Sequence, residues 1–152
     1  FERMEEGFRQ RATSVTELFA DEVTAFVLVT APREDSVAEA SFFAQRLAED
    51  DIDVRALIVN RMHPPFGEAD PAADEKADGE LRGAPGGAAL ADYHRARADL
   101  RRLASEELAN LAQLTAQVSS AVIVYVPSLA TDVHDVAGPN RVGESLLDPD
   151  PA

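Results

Sequence analysis

Two stretches decide the fold: Phe26-Val-Leu-Val-Thr-Ala-Pro32 and Val54-Arg-Ala-Leu-Ile-Val-Asn60. The first belongs to an unbroken β-branched and aromatic run from Thr24 to Thr30, as expected of a strand covered on both faces. Ala31-Pro32 stops it, proline having no N–H for a ladder. Asp35 or Ser36 can cap the helix that follows, with Glu39 in its first turn. Val37, Ala40, Phe43, Ala44 and Leu47 give that helix a core stripe, and Asp50-Asp51 ends it. Val54 to Val59 is the second strand. Strand, crossover helix, strand is a βαβ unit, whose strands are parallel and whose crossover is right-handed. In such sheets ligands sit beyond the carboxyl ends of the strands. Asn60 stands at such an end.

Working outward, Met4, Phe8, Val15, Leu18 and Phe19 recur among charges at roughly helical spacing, so Glu2 to Phe19 reads as a helix. Residues 63 to 88 change character, being rich in Pro, Gly, Ala and acids. They read as a mobile acidic surface excursion with room for a short helix. Ala88 to Gln117 is a long helix whose apolar face carries Leu90, Tyr93, Ala96, Leu100, Leu103, Leu108, Leu111 and Leu114, and Val118 continues it. Ala121 to Val126 is a third strand closed by Pro127. Thr131-Asp132 can start a helical turn, Arg141 to Leu147 a last helix, and Asp148 to Ala152 a frayed tail. The class is α/β: a partial three-layer fold with a parallel sheet of about three strands and flanking helices. So small a sheet leaves an edge open, a hazard for an isolated domain, and further strands are expected beside these.

The chain of 152 residues is one domain's worth or half of a larger one, and its 45% apolar content can bury a core. It opens on Phe1 rather than Met, as expected of an excised piece. Without Cys it has neither disulfides nor thiolate ligands, which is compatible with a reducing cytoplasm. A net charge of −14 argues against nucleic acid or anionic membrane as a direct partner. No run of apolar residues approaches a membrane span, and no signal peptide is visible.

From Phe26 to Pro127 the chain resembles the arsenite-pump (ArsA) and tail-anchored-protein targeting ATPases, dimeric P-loop anion-transporting ATPases with a deviant Walker A loop. The resemblance rests on the strand Phe26-Val-Leu-Val-Thr-Ala-Pro and on Val37-Ala-Glu39-Ala at the start of the helix. It continues through Ile52-Asp-Val-Arg-Ala-Leu-Ile-Val-Asn60-Arg61, the long helix, Val126-Pro127-Ser-Leu and Asp132-Val133. It implies a partial P-loop NTPase-like fold, with residues 1–152 as the C-terminal part of an ArsA-like ATPase domain. It also implies that Asn60 reads the adenine edge and that the loop at Pro127 packs against the other side of the base. A carboxamide offers the donor and acceptor that adenine N7 and N6–H complement. The plainer reading of Asn60 is a strand-end side chain capping the next turn, and of Pro127 a strand terminator.

The departures from that family matter as much. No Gly-rich loop followed by Lys and Ser/Thr occurs. Gly83-Ala-Pro-Gly-Gly87 lacks both residues and does not join a buried strand to a helix, so it is no phosphate cradle. The groups that hold phosphate, Mg²⁺ and the attacking water are expected upstream, and this chain alone is not expected to hydrolyse ATP. The Cys-x-x-Cys of zinc-binding relatives and the thiolates of metalloid-responsive ones are also missing, so arsenite binding does not carry over.

Three histidines, His63, His94 and His134, lack metal-ligand spacing, and His63 reads as an exposed loop residue. Asp70, Asp74, Glu75, Asp78 and Glu80 lack the arrangement of a Ca²⁺ loop and read as a solvated charged segment. Arg95, Arg97, Arg101 and Arg102 read as local pairs with Asp99 and Glu106, or as a contact to a partner subunit. Neither a catalytic residue nor a metal ligand is assigned.

Two functions follow. In the first, the chain is the C-terminal segment of an ArsA-like ATPase that uses ATP and Mg²⁺. It supplies the adenine-side wall and a dimer or client surface, and its partners are its own N-terminal half and a homo- or heterodimeric ArsA-like subunit. In the second, it is a stand-alone non-catalytic interaction module of the same fold. A chromosome-partitioning or division-site ATPase is a weaker third, since no basic amphipathic tail is visible.

Overall fold

The computed structural model describes residues 2–19, 21, 23–67, 70–129, 139–140, 143 and 146–147, with backbone alone at 2–5 and 16. The expectations at Thr131-Asp132, Asp132-Val133, His134 and most of Arg141 to Leu147 lie outside these residues.

The order is α1 (Glu2–Phe19), β1 (Phe26–Thr30), α2 (Glu34–Glu49), β2 (Val54–Met62), α3 (Pro71–Arg82), α4 (Ala88–Gln117) and β3 (Val122–Pro127). The three strands form one sheet in the order β1-β2-β3, both ladders parallel. This is the expected α/β sheet with flanking helices, consistent with part of a P-loop NTPase-like fold.

Both crossovers move the chain the same way across the sheet, which places α2 and α4 on one face. The core lies there. Leu57 and Val59 of β2, Val37, Ala40 and Ala44 of α2, and Leu111 and Leu114 of α4 are buried together. Leu28, Ile123 and Tyr125 pack against them from the edge strands.

The opposite face differs from expectation. Parallel partners share a face, so Val27, Ala56 and Val122 point one way, as do Val29, Ile58 and Val124. Val124 is buried, but Val27, Val29 and Val122 are exposed. β1 is therefore covered on one face, not two.

Helix α2 starts at least two residues earlier than its capping signals, Asp35 or Ser36, indicate. Its N-cap is Arg33, whose side chain makes no cap bond, so Glu34 and Asp35 rather than Glu39 occupy the first turn. Asp35 instead accepts the Ser36 N–H at 2.9 Å and pairs with Arg33. At the other end Asp51 takes φ 56°, and Ile52 N–H donates to the Leu47 carbonyl at 2.8 Å. That left-handed step satisfies the last carbonyls and turns the chain into β2. Phe43, expected in the core stripe, is 60% exposed beside the free edge of β1.

Helix α4 also buries a different face. Leu90, Tyr93 and Leu108 are exposed, whereas Ala91, Ala98, Arg101, Ala104 and Glu107 are buried with Leu111 and Leu114. The alanines let α3 approach closely. The expected excursion at 63–88 holds the short helix it had room for, α3, capped by Asp70, which accepts the Ala72 N–H, with Pro71 at the first helical position. The connection from α3 to α4 needs Gly87: a Cβ there would stand 2.1 Å from the Leu81 carbonyl oxygen. Gly87→Ala is expected to destabilise the fold by roughly 1–3 kcal/mol, read as a lower urea midpoint by circular dichroism. An unchanged midpoint would refute the close packing.

Candidate functional site

Strand β2 runs past its expected end at Val59 and includes Asn60, Arg61 and Met62. Asn60 pairs with Val126 and Met62 with Pro127, so Arg61 is an extra residue in the ladder. It sits at φ 64°, in the left-handed region that a residue with a Cβ seldom enters. This is a β-bulge, a device that re-aims side chains at sheet rims and beside sites. Beyond it, the Ser128 N–H donates to the Met62 carbonyl at 2.7 Å and closes the end of β3 against β2.

The two residues singled out from sequence, Asn60 and Pro127, thus lie at the carboxyl ends of neighbouring strands, one ladder step apart. Both are exposed. Asn60 and Arg61 line an open cleft of about 400 Å³ with Thr30, Ser36, Glu39 and Phe43. The carboxamide of Asn60 has no hydrogen-bond partner among the described residues, so the capping role that its position suggests is not used. Pro127 is the last residue of its strand, as the terminator reading expects.

Two groups on α4 hold the segment that leaves β2. The Glu107 carboxylate, 7% exposed, accepts the His63 backbone N–H at 2.8 Å and lies 2.6 Å from His63 Nδ1. Arg101 donates to the Phe66 carbonyl from Nε at 3.1 Å and from Nη2 at 2.9 Å. Phe66 and Gly67 both take positive φ there, 53° and 92°. His63 is therefore half-buried and tied, not an exposed loop residue.

The same Arg101 reaches α3. Asp74, 1% exposed, is not solvated but sits at the centre of a charge cluster. It accepts from Arg97 Nε at 2.9 Å, lies 2.8 Å from His94 Nδ1 and accepts from Arg101 Nη1. Hydrogen bonding from Arg97 is the main cause that holds the Asp74 carboxyl down at about 2, helped by His94 and the charge of Arg101 and opposed by burial. Around this centre Asp78 holds Arg82 and faces Arg95, while Arg102 pairs with Glu75 and Asp99. The arginines of α4 are thus spent mainly on α3, and of the expected local pairs Arg102 makes the one to Asp99.

Among the described residues no buried side-chain nitrogen or oxygen lacks a partner. The cluster is a fully paired tie between helices rather than a reactive group. No set of three or more His, Asp or Glu side chains among them is arranged to hold a metal ion. No helix among them is long and apolar enough to cross a membrane.

No family model matches the chain. It is 43% identical over 61 residues to a protein named ATPase GET3B from Arabidopsis thaliana. The matched stretch spans 40% of this chain and 15% of the plant protein. That likeness supports a relationship to the ATPases whose strand ends this chain resembles.

Proposed function

We propose that this chain is the C-terminal segment of an ArsA-like ATPase and supplies the adenine-side wall of its nucleotide site. The carrying observation is Asn60: a carboxamide without a partner among the described residues, at the carboxyl end of the central strand, beside a left-handed bulge residue and an open cleft. A free donor and acceptor at a rigid strand end suit an adenine edge. Pro127 stiffens the adjacent wall without adding an N–H that needs a partner. ATP and Mg²⁺ act in the whole protein. The phosphate-binding and water-positioning groups come from its N-terminal half, and a second ArsA-like subunit completes the dimer.

Exposed surface supports the reading. Val27, Val29 and Phe43 are exposed around the edge of β1, which suits a sheet that continues beyond β1 and a face that another layer covers.

The test starts with the native protein, sized by immunoblot with an antibody against this chain. A band at roughly twice 16.3 kDa or more is expected, with a P-loop encoded before Phe1 and Mg²⁺-dependent ATP hydrolysis by the intact protein. Asn60→Ala in that protein should weaken ATP binding by roughly tenfold. A native band at the size of this chain, or a longer protein without a P-loop, sinks the proposal and leaves the interaction module.

A further inference from the structure

We infer that Glu107 is a positioning residue for the strand end that bears Asn60, and that Arg101 extends its hold to α3. The inference rests on the adenine reading just given and deepens it.

The stretch from Asn60 to Gly67 leaves the sheet through three left-handed residues, Arg61, Phe66 and Gly67. Such backbone persists only where its surroundings over-determine it. Helix α4 supplies the constraint at two points. Glu107 spends both carboxylate oxygens on one residue, His63, through its N–H and its ring nitrogen. Arg101 spends two nitrogens on one carbonyl, that of Phe66, and its third on Asp74. Glu107 and Arg101 are six residues apart, about 9 Å along the helix axis. A carboxylate that is 7% exposed and a guanidinium that is buried with it are costly to place unless well paired. Here Glu107 is engaged wholly with the segment that follows Asn60, and Arg101 is shared between that segment and Asp74 of α3.

The consequence is directional. Among the described residues the Asn60 side chain has no partner to fix it, so its aim is set by its ladder position opposite Val126, by the bulge at Arg61 and by what holds the chain after it. Loosening His63 frees the strand end to relax out of the left-handed turn and moves the carboxamide. Undocking α3 removes Asp74 from Arg101 and loosens the same stretch from its far end.

The test uses two readouts. Hydrogen exchange on the protein compares wild type with Glu107→Leu and Glu107→Gln. The leucine variant should speed exchange at residues 61–67 by roughly tenfold or more while the amides of Leu57 and Val59 stay slow. The glutamine variant keeps one carbonyl oxygen for the His63 N–H and should fall between. Binding in the protein with its P-loop half then compares ATP with GTP. A purely structural loss would weaken both alike, whereas misaiming Asn60 should reduce the preference for ATP by roughly tenfold.

Unchanged exchange at 61–67 in Glu107→Leu would overturn the clamp itself, whatever nucleotide does. Faster exchange with an unchanged ATP-to-GTP ratio, while Asn60→Ala lowers that ratio, would overturn the positioning role alone. Indifference of the ratio to Asn60→Ala would instead overturn the adenine reading on which the inference stands.

Discussion

Leu57→Ala is expected to destabilise the protein by about 2–5 kcal/mol, enough to unfold a domain of ordinary marginal stability. Leu57 has no exposed surface and lies on the central strand, with Leu28 on one side and Ile123 on the other. Removing its isobutyl group takes away contacts to both neighbouring strands and leaves a cavity under Leu111 and Leu114, which are themselves buried. With three strands and two helices in the core there is little else to collapse into the space, so the cost should fall in the upper part of that range. Leu90→Ala is the control: that side chain is half exposed on α4 and should change stability by no more than about 0.5 kcal/mol. Urea melts of both variants decide. Equal midpoints would mean that the core does not lie between the sheet and α4.

The second large effect is at Asp74. Asp74→Leu should release α3 without unfolding the sheet, because Asp74 is the one residue of α3 that is buried. Its loss leaves Arg97, Arg101 and His94 facing each other without the shared anion. Removing one member of a buried charge group is far more damaging than replacing the whole group. Lys76, the sole lysine of the chain, lies on α3 and supplies the readout. A lysine-specific protease needs the local chain unfolded and should cut at Lys76 much faster in the variant, with far-ultraviolet dichroism largely kept. Resistance equal to wild type would refute the tie.

Acid should produce the same release in the native protein. The folded carboxyl of Asp74 titrates at about 2, below its ordinary 3.8. A carboxylate held down in the fold stabilises at pH above its unfolded value, and that contribution is lost as pH falls through the folded value. The expected window is therefore about pH 4 down to pH 2. The groups around it are His94, Arg97 and Arg101 of α4, with Asp78 facing Arg95 and Glu75 facing Arg102 alongside. Cleavage at Lys76 is unsuited to that range, so amide exchange of α3 against that of β2 is the measurement. Protection of α3 that persists unchanged to pH 2 would contradict the assignment.

How much of this was legible in the sequence depends on the range of the interactions. The strands and helices α1, α2 and α4 were readable because their signals are local: unbroken β-branched runs, apolar spacing, and a proline or an acidic pair at the ends. The sheet's position of Asn60 and Pro127 followed from the same signals. The buried face of α4 was misjudged because leucines mark burial in water-facing helices, yet Ala91, Ala98 and Ala104 are what allow another helix to lie close. The polar core was invisible for a different reason. Asp74 and Arg101 are 27 residues apart, and His63 and Glu107 are 44 apart. No spacing rule links such pairs, and an acid amid other acids reads as solvated until its partners are placed. Phe43 and the outer face of β1 looked like core because their residue types demand cover, but no element among the described residues supplies it.

The length of α4 has a mechanical side. Its 30 residues span about 45 Å, while a strand of β2's nine residues spans about 30 Å. The C-terminal half is seated on the sheet through Leu111 and Leu114, and the N-terminal half carries α3. A rigid rod held at one end multiplies small rotations. Tilting the seated half by roughly 10° would swing the far tip of a 15-residue overhang by about 4 Å. Glu107 sits close to the fulcrum, so any tilt of α4 that followed an adjustment at the end of β2 would be larger at the end that carries α3.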